Sequence, residues 1–234
     1  MMKIKTTLLA AAIALGLVPA VRAEVEAGFE LEFLNRLVDL GENVEPGTRF
    51  LRAGLGVEVE GFEIGLEGFQ ALGSGDYNEV SLGIAYGIGI GELVLTPGFT
   101  WIWFPDDSED TAEVSLGVEF PLAGGLEVFA EFAFDVFESE GFLELGVALP
   151  FEVPVGGLEV EFTPSVTLGV DYGMVSGERS FKENNVVVSL EASVPVHEQV
   201  VVFGSLNHSF SMGALDDAGG KDVSWFGLGV GLEF

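Results

Sequence analysis

Glu24-Val25-Glu26-Ala27-Gly28-Phe29-Glu30-Leu31-Glu32-Phe33 is a stretch with two faces. Val25, Ala27, Phe29, Leu31 and Phe33 are apolar, while Glu24, Glu26, Glu30 and Glu32 occupy positions between them. A period of two is that of an extended strand, which sends successive side chains to opposite surfaces. The same alternation recurs over 24–35, 49–60, 62–72, 78–90, 92–104, 111–122, 126–137, 141–151, 158–173, 185–196, 199–211 and 222–234. Soluble strands usually run to about 5–6 residues. These runs instead suit the roughly 9–11 residues that a tilted strand needs to cross a bilayer.

The connections alternate in length. Residues 36–48, 73–77, 105–110, 138–140, 174–184 and 212–221 form the longer set, mostly rich in Gly, Asp, Glu, Asn and Ser. Tight turns fall between them at Gly61, Gly91, Ala123-Gly124-Gly125, Glu152 to Gly157 and His197-Glu198. Long loops on one side and short turns on the other are the habit of membrane barrels. The expected fold is therefore all-β, a transmembrane antiparallel up-and-down β-barrel of twelve strands, with ten or fourteen compatible with the same pattern. It occupies residues 24–234 as one domain. An even strand count puts both termini on the short-turn side.

Composition narrows the function. The 234 residues include 38 Asp+Glu against 9 Lys+Arg, for a formal net charge of −29. Phosphate would repel such a chain, so no nucleic-acid partner is expected. With no cysteine there is no disulfide framework, thiol nucleophile or Cys-bound zinc. A hydrophobic fraction of 48% excludes general disorder. Residues 1–23 read as a secretory signal peptide: Lys3 and Lys5 precede an apolar stretch from Thr7 to Ala20, and Val21-Arg22-Ala23 offers a cleavage site.

The apolar face of the twelve runs contains no charged residue, and aromatic residues sit near the strand ends. Phe33, Trp101, Trp103, Phe134, Tyr172 and Phe210 lie toward the long loops, and Phe62, Phe120, Phe151 and Phe234 toward the turns. Two aromatic girdles are expected of a barrel in lipid. A secreted sandwich would explain the alternation, but not the strand length, the loop asymmetry or the girdles.

The last ten residues, Trp225-Phe226-Gly227-Leu228-Gly229-Val230-Gly231-Leu232-Glu233-Phe234, resemble the C-terminal signal of bacterial outer-membrane β-barrels. Phe226, Leu228, Val230, Leu232 and Phe234 carry that resemblance. It implies recognition by the barrel-assembly machinery, a bacterial outer-membrane location with both termini periplasmic, and lipid as a partner. It points to the porin-like superfamily and to no particular family within it.

Placed by alternation, the inner face carries many glutamates, among them Glu30, Glu67, Glu131, Glu144 and Glu191 as the expected selectivity set, and Arg52 as the one basic residue. Same-face neighbours on a strand stand about 7 Å apart. Two like charges at that distance repel by roughly 0.6 kcal/mol in water but about 2.4 kcal/mol at an effective dielectric of 20. A dry interior would need basic partners that this chain lacks, so a wet lumen is expected. Inward glycines either leave space there or serve strand curvature. Phe69, Phe129, Phe137 and Trp225 are the expected constriction.

These expectations converge on a passive, cation-preferring channel for small hydrophilic solutes, with no cofactor, no bound metal and no catalysis. The acid runs at 106–110 and Asp216-Asp217 lack the spacing of a calcium loop. His208 and Ser209 are adjacent, hence on opposite faces, which argues against a one-strand hydrolase dyad. The alternative is a non-conducting, envelope-structural or surface-loop adhesin barrel, its bore blocked by the inward aromatics and loop 174–184. Oligomeric state is left open.

Overall fold

The computed structural model describes residues 25–105 and 110–234. The expected signal peptide, Glu24 and residues 106–109 of the first acid run lie outside the described residues. The barrel strands are β1 (Val25–Leu34), β2 (Arg49–Val59), β3 (Phe62–Leu72), β4 (Asn78–Tyr86 and Ile88–Ile90), β5 (Leu93–Trp103) and β6 (Thr111–Pro121). They continue as β7 (Glu127–Asp135), β8 (Glu140–Ala148 and Phe151–Val155), β9 (Leu158–Tyr172), β10 (Lys182–His197), β11 (Val200–Ser211) and β12 (Val223–Glu233). Each is antiparallel to its chain neighbours, and β12 returns to β1 from Gly28↔Glu233 to Leu34↔Gly227. The ring is a closed twelve-stranded antiparallel barrel, as the alternation predicts.

Two strands are interrupted, and proline explains both. Ala85 faces Gly98 and Ile88 faces Leu95, so the register runs unbroken across the gap in β4, where Pro97 on β5 offers no N–H. Ala148 faces Ser165 and Phe151 faces Phe162 on either side of the gap in β8, where Pro150 and Pro164 fall. One expected turn is corrected here. Glu152 to Gly157 is strand as far as Val155, and the chain reverses at Gly156 and Gly157, both at positive φ. Pro154 suggested a turn, but it lies where β8 pairs with β9 alone, an edge that tolerates a missing donor.

The longer connections carry structure of their own. Residues 36–48 contain a hairpin, Val38–Asp39 with Glu42–Asn43, and residues 212–221 contain a short helix, α1 (Gly213–Asp217). Burial is inverted relative to a soluble protein. Leu228 (60%), Phe62 (51%) and Leu116 (47%) are exposed on the outer wall, while a small buried cluster of Leu34, Leu37, Phe50 and Ala71 lies inside the loop end. Aromatic residues pair along the outer rims, Phe62 with Tyr86 (4.4 Å between centroids) and Phe151 with Phe162 (5.8 Å).

The two faces make an immediate prediction. Leu116 points outward at the middle of β6, and its neighbour Ser115 points inward. Leu116→Arg is expected to cost about 2–4 kcal/mol of folding stability in lipid, the depth-dependent cost at the bilayer midplane. Ser115→Arg is expected to cost far less. Reversible unfolding in vesicles measures both, and equal costs would place the lipid face wrongly.

Candidate functional site

The interior holds two cavities of about 450 and 470 Å³. The first is lined by Glu30, Glu32, Arg52, Glu161, Glu191 and Glu233, with Phe203 and several small residues. Arg52 organises it. Its Nε donates to Glu67 Oε2 at 2.5 Å, and Nη1 stands 3.3 Å from Glu32 Oε2 and 3.5 Å from Glu30 Oε2. The register causes this convergence: Arg52 lies directly between Glu32 on β1 and Phe69 on β3, and Glu30 and Glu67 flank Gly54 two residues along on the same face. Four charges therefore share one wall, and the single cation is held by three carboxylates.

The second cavity is lined by Glu113, Glu131 and Glu144 from the wall and by Val38, Asp39, Leu40 and Gly41 from the first loop. The hairpin thus folds into the barrel. Its turn has Leu40 at φ +48° and Gly41 at φ +85°, the two positive angles of a type I′ turn. At its base, Leu37 packs with Leu34, Phe50 and Ala71, with Val44, Phe69 and Tyr77 against them, and Val44 N–H donates to Leu37 O at 3.1 Å. At its tip, Asn184 Nδ2 donates to Leu40 O at 2.6 Å. Asp39 is open to the lumen yet enclosed by the barrel. That burial raises its carboxyl above the ordinary value, and a hydrogen bond from its own Leu40 backbone pulls it back in part.

The five expected selectivity glutamates are divided between these places. Glu30 and Glu191 line the first cavity, Glu67 is bound to Arg52, and Glu131 and Glu144 line the second. Glu131 and Glu144 are direct cross-strand partners, as are Glu113 and Asp135. Of the four expected constriction aromatics, Trp225 lines the second cavity, Phe69 packs into the hairpin anchor, and Phe129 lies over Gly146. Phe137 is a correction. It is 55% exposed, and its ring stands edge-on to Trp101 of the outer wall at 5.8 Å. The reason is local: Asp135 Oδ1 accepts the N–H of Phe137 and of Glu138, which turns the chain and ends the alternation.

Loop 174–184, the expected plug of the alternative reading, is folded mainly on itself. Asp171 accepts the N–H groups of Val175 and Ser176, Arg179 donates to Glu138 O at 2.8 Å, and β10 begins at Lys182. Only its Met174 reaches the second cavity. The loop segment that enters the barrel is 36–48, whose residues 38–41 line the second cavity and which alternation left as an ordinary loop. Phe142 on the second cavity and Phe203 on the first were also missed as interior aromatics.

Inward glycines serve two roles. Phe129 crosses Gly146, Phe203 crosses Gly229 and Glu32 crosses Gly227, so a Cβ at any of the three would meet those atoms within 2.3 Å. Gly56, Gly65 and Gly89 face open space.

His208 has a partner that a single strand could not reveal. Its Nδ1 stands 2.7 Å from Ser224 Oγ on β12, on the same outer face as Phe210, whose ring packs edge-on at 4.3 Å. Nucleophilic use would need a group orienting the imidazole and donors for an oxyanion. Among the described residues no carboxylate hydrogen-bonds this ring. The pair joins β11 to β12. Asp217 pairs with Lys182, and Asp216 accepts Ser211 Oγ–H at 2.5 Å. Among the described residues no three histidine or acid side chains converge as a metal site.

A closed twelve-stranded ring with an apolar exterior and a polar interior defines the fold as a transmembrane β-barrel. Solved structures agree. A KdgM porin in complex with disordered oligogalacturonate is 10% identical, aligned over 89% of this chain and 99% of that one with a TM-score of 0.59. The NanC porin is 8% identical with the same coverage and a TM-score of 0.56. LpxR from Salmonella typhimurium is 11% identical over 88% of this chain and 99% of that one, with a TM-score of 0.53. At such identities the likeness is one of fold. No family model and no curated protein sequence matches the chain.

Arg52 offers a test of the interior electrostatics. Arg52→Met leaves Glu30, Glu32 and Glu67 facing one another without their cation. The variant is expected to lose about 1–2 kcal/mol at pH 7, between the values for exposed and buried pairs. The loss should fade in a background in which Glu30, Glu32 and Glu67 are all replaced by Gln. Unfolding of both backgrounds checks it, and an undiminished loss would mean that packing, not charge, is what Arg52 supplies.

Proposed function

We propose that the protein is a passive outer-membrane channel that prefers cations and passes small hydrophilic solutes through a water-filled, glutamate-lined lumen. The observation that carries this reading is the facing of carboxylates across the interior ladder. Glu131 opposes Glu144, Glu113 opposes Asp135, and Glu152 opposes Glu161. Directly opposed Cβ atoms lie about 4.5–5.5 Å apart. At about 5 Å, two carboxylates repel by roughly 0.8 kcal/mol in water and about 3 kcal/mol at an effective dielectric of 20. The larger figure, repeated around a ring, is unsustainable, so the interior acids require water, mobile cations or protonation of some of their number. Arg52 does not offset them, because three other interior carboxylates, Glu30, Glu32 and Glu67, already hold it.

Charge also separates this chain from a neighbour in fold. Oligogalacturonate, held by the KdgM porin, is a polyanion. An interior rich in carboxylates would exclude such a solute and concentrate cations. In this reading residues 1–23 direct export and are removed, the alternate residues from Phe226 to Phe234 present the assembly signal, and both termini face the periplasm. The inward hairpin favours one second reading, a non-conducting envelope-structural or adhesin barrel.

The test is the reversal potential of the refolded mature protein in a planar bilayer under a salt gradient. A cation-selective potential is expected. Replacing both Glu67 and Glu131 with Gln should lower the cation-to-anion permeability ratio by about twofold or more. Oligogalacturonate should leave the current unchanged. Anion selectivity would overturn the proposed lining, and absence of current from a correctly folded barrel would leave the non-conducting reading.

A further inference from the structure

How the tip of the hairpin is held is not explained by charge selectivity. Between β9 and β10 the register shifts: Gly169 faces Asn185 and Val170 faces Glu183, which leaves Asn184 as an extra residue. Such a bulge re-aims side chains. Here it sets two consecutive asparagines against the hairpin, where strict alternation would send one of them outward. Asn184 Nδ2 donates to Leu40 O and, at 3.2 Å, to Asn185 Oδ1. Asn185 Nδ2 donates to Ser209 Oγ on β11 at 3.0 Å, and Gly41 lies so close that a Cβ there would stand 2.5 Å from that amide nitrogen. Both asparagines are buried.

Other features oppose this position. Asn184 Oδ1 and, on the hairpin, Asn43 Oδ1 are buried with no hydrogen-bond partner among the described residues. Leu40 is held in the left-handed region that a leucine rarely adopts. Asp39 interacts with Glu79 on β4, Glu113 on β6 and Glu144 on β8, shares its cavity with Glu131 on β7, and has Tyr77 nearby. Glu42 follows on the same hairpin. Every carboxylate in that set repels Asp39. Against them stand the apolar base and the asparagine contact, an opposition of small terms that suits a two-position element.

We propose that hairpin 38–43 is a gate across the bore, hinged at its Leu37–Val44 base and latched at its tip by Asn184, so that breaking the latch opens a second, wider conducting state. The proposal rests on the channel reading above. Acidity favours the latched position. The repulsion that opposes closing is absent below the ordinary Asp range, about pH 3.9, and is complete above the raised value of enclosed Asp39.

The chain has no cysteine, so a pair introduced at the latch can form only one intramolecular disulfide. In the Gly41→Cys/Asn185→Cys variant the new Cβ would lie 3.1 Å from that of residue 185, a little short of the roughly 3.5–4.5 Å of natural disulfides, so the hairpin tip must shift by a few tenths of an ångström for the bond to form. Thiol titration and gel mobility of the refolded barrel report its formation without any current. Single-channel recording of wild type should show two conductance levels, with the lower one more occupied as the pH falls. The oxidised double variant should stay at the lower level until a reductant restores both. Asn184→Ala, which adds no strain at Gly41, should shift occupancy toward the upper level about fivefold, the effect of one lost net hydrogen bond. A single level, unchanged by Asn184→Ala and by oxidation, would overturn the gate and leave the channel standing. A disulfide that forms in a barrel that carries no current in any variant would overturn the gate together with the channel.

Discussion

A backbone inside a hydrocarbon layer must pair all its polar groups within the protein, and in an extended chain only ring closure achieves this. The joint between β1 and β12 carries that burden here. Seven residue pairs close it, and beyond the ladder Phe234 N–H donates to Ala27 O at 2.8 Å. Much of the remaining architecture follows from closure. Pro97, Pro150 and Pro164, which cannot donate, fall at the interruptions of β4 and β8. A ring of twelve strands is wider than its own side chains fill, so its interior must contain water, loops or both.

Sequence and closure together decide what occupies that interior. Inward positions are dominated by glutamate, aspartate and glycine, which cannot pack a dry core. Among the described residues, the buried apolar cluster inside the wall is local, formed where Leu34, Phe50 and Ala71 meet Leu37 of the first loop. That small patch accounts for the path of the hairpin. With Leu37 and Val44 anchored against the wall, the turn between them has nowhere to go but across the bore. Asp39 is thereby carried among wall acids that belong to four different strands.

Alternation made most of the scaffold legible, because one face meets lipid and the other does not. It placed all twelve strands, several of them to within a residue, and it assigned Trp225 and Glu131 to the side on which they line a cavity. It failed wherever the ladder stops or slips. Phe137 was counted inward by extending the period beyond Asp135, whose carboxylate turns the chain. Asn184 carried no signal, since a bulge is a property of two strands in register and not of one. For the same reason Ser224 could not be matched to His208, sixteen residues away, until β11 and β12 were paired. Hairpin 36–48 was hidden differently. Two of its four hydrophobic residues, Leu37 and Val44, anchor it, and their burial depends on a patch formed by β1, β2 and β3 together.

Fold and charge carry separate information in a barrel. The exterior answers to lipid and the ladder answers to hydrogen bonding, so chains of about 10% identity can share both, as the KdgM and NanC porins do with this one. Neither constraint reaches the inward side chains, which are free to vary in sign. What distinguishes one such barrel from another must therefore be read from the inward face and from whatever loop enters it. Here that face presents carboxylates opposed across neighbouring strands, with one arginine already surrounded, and the entering loop adds another acid. In the channel proposed above, a solute crossing this interior would meet negative charge on the wall and on the hairpin that narrows it. Under that proposal the residues that keep the lumen wet would also set the sign of what can pass.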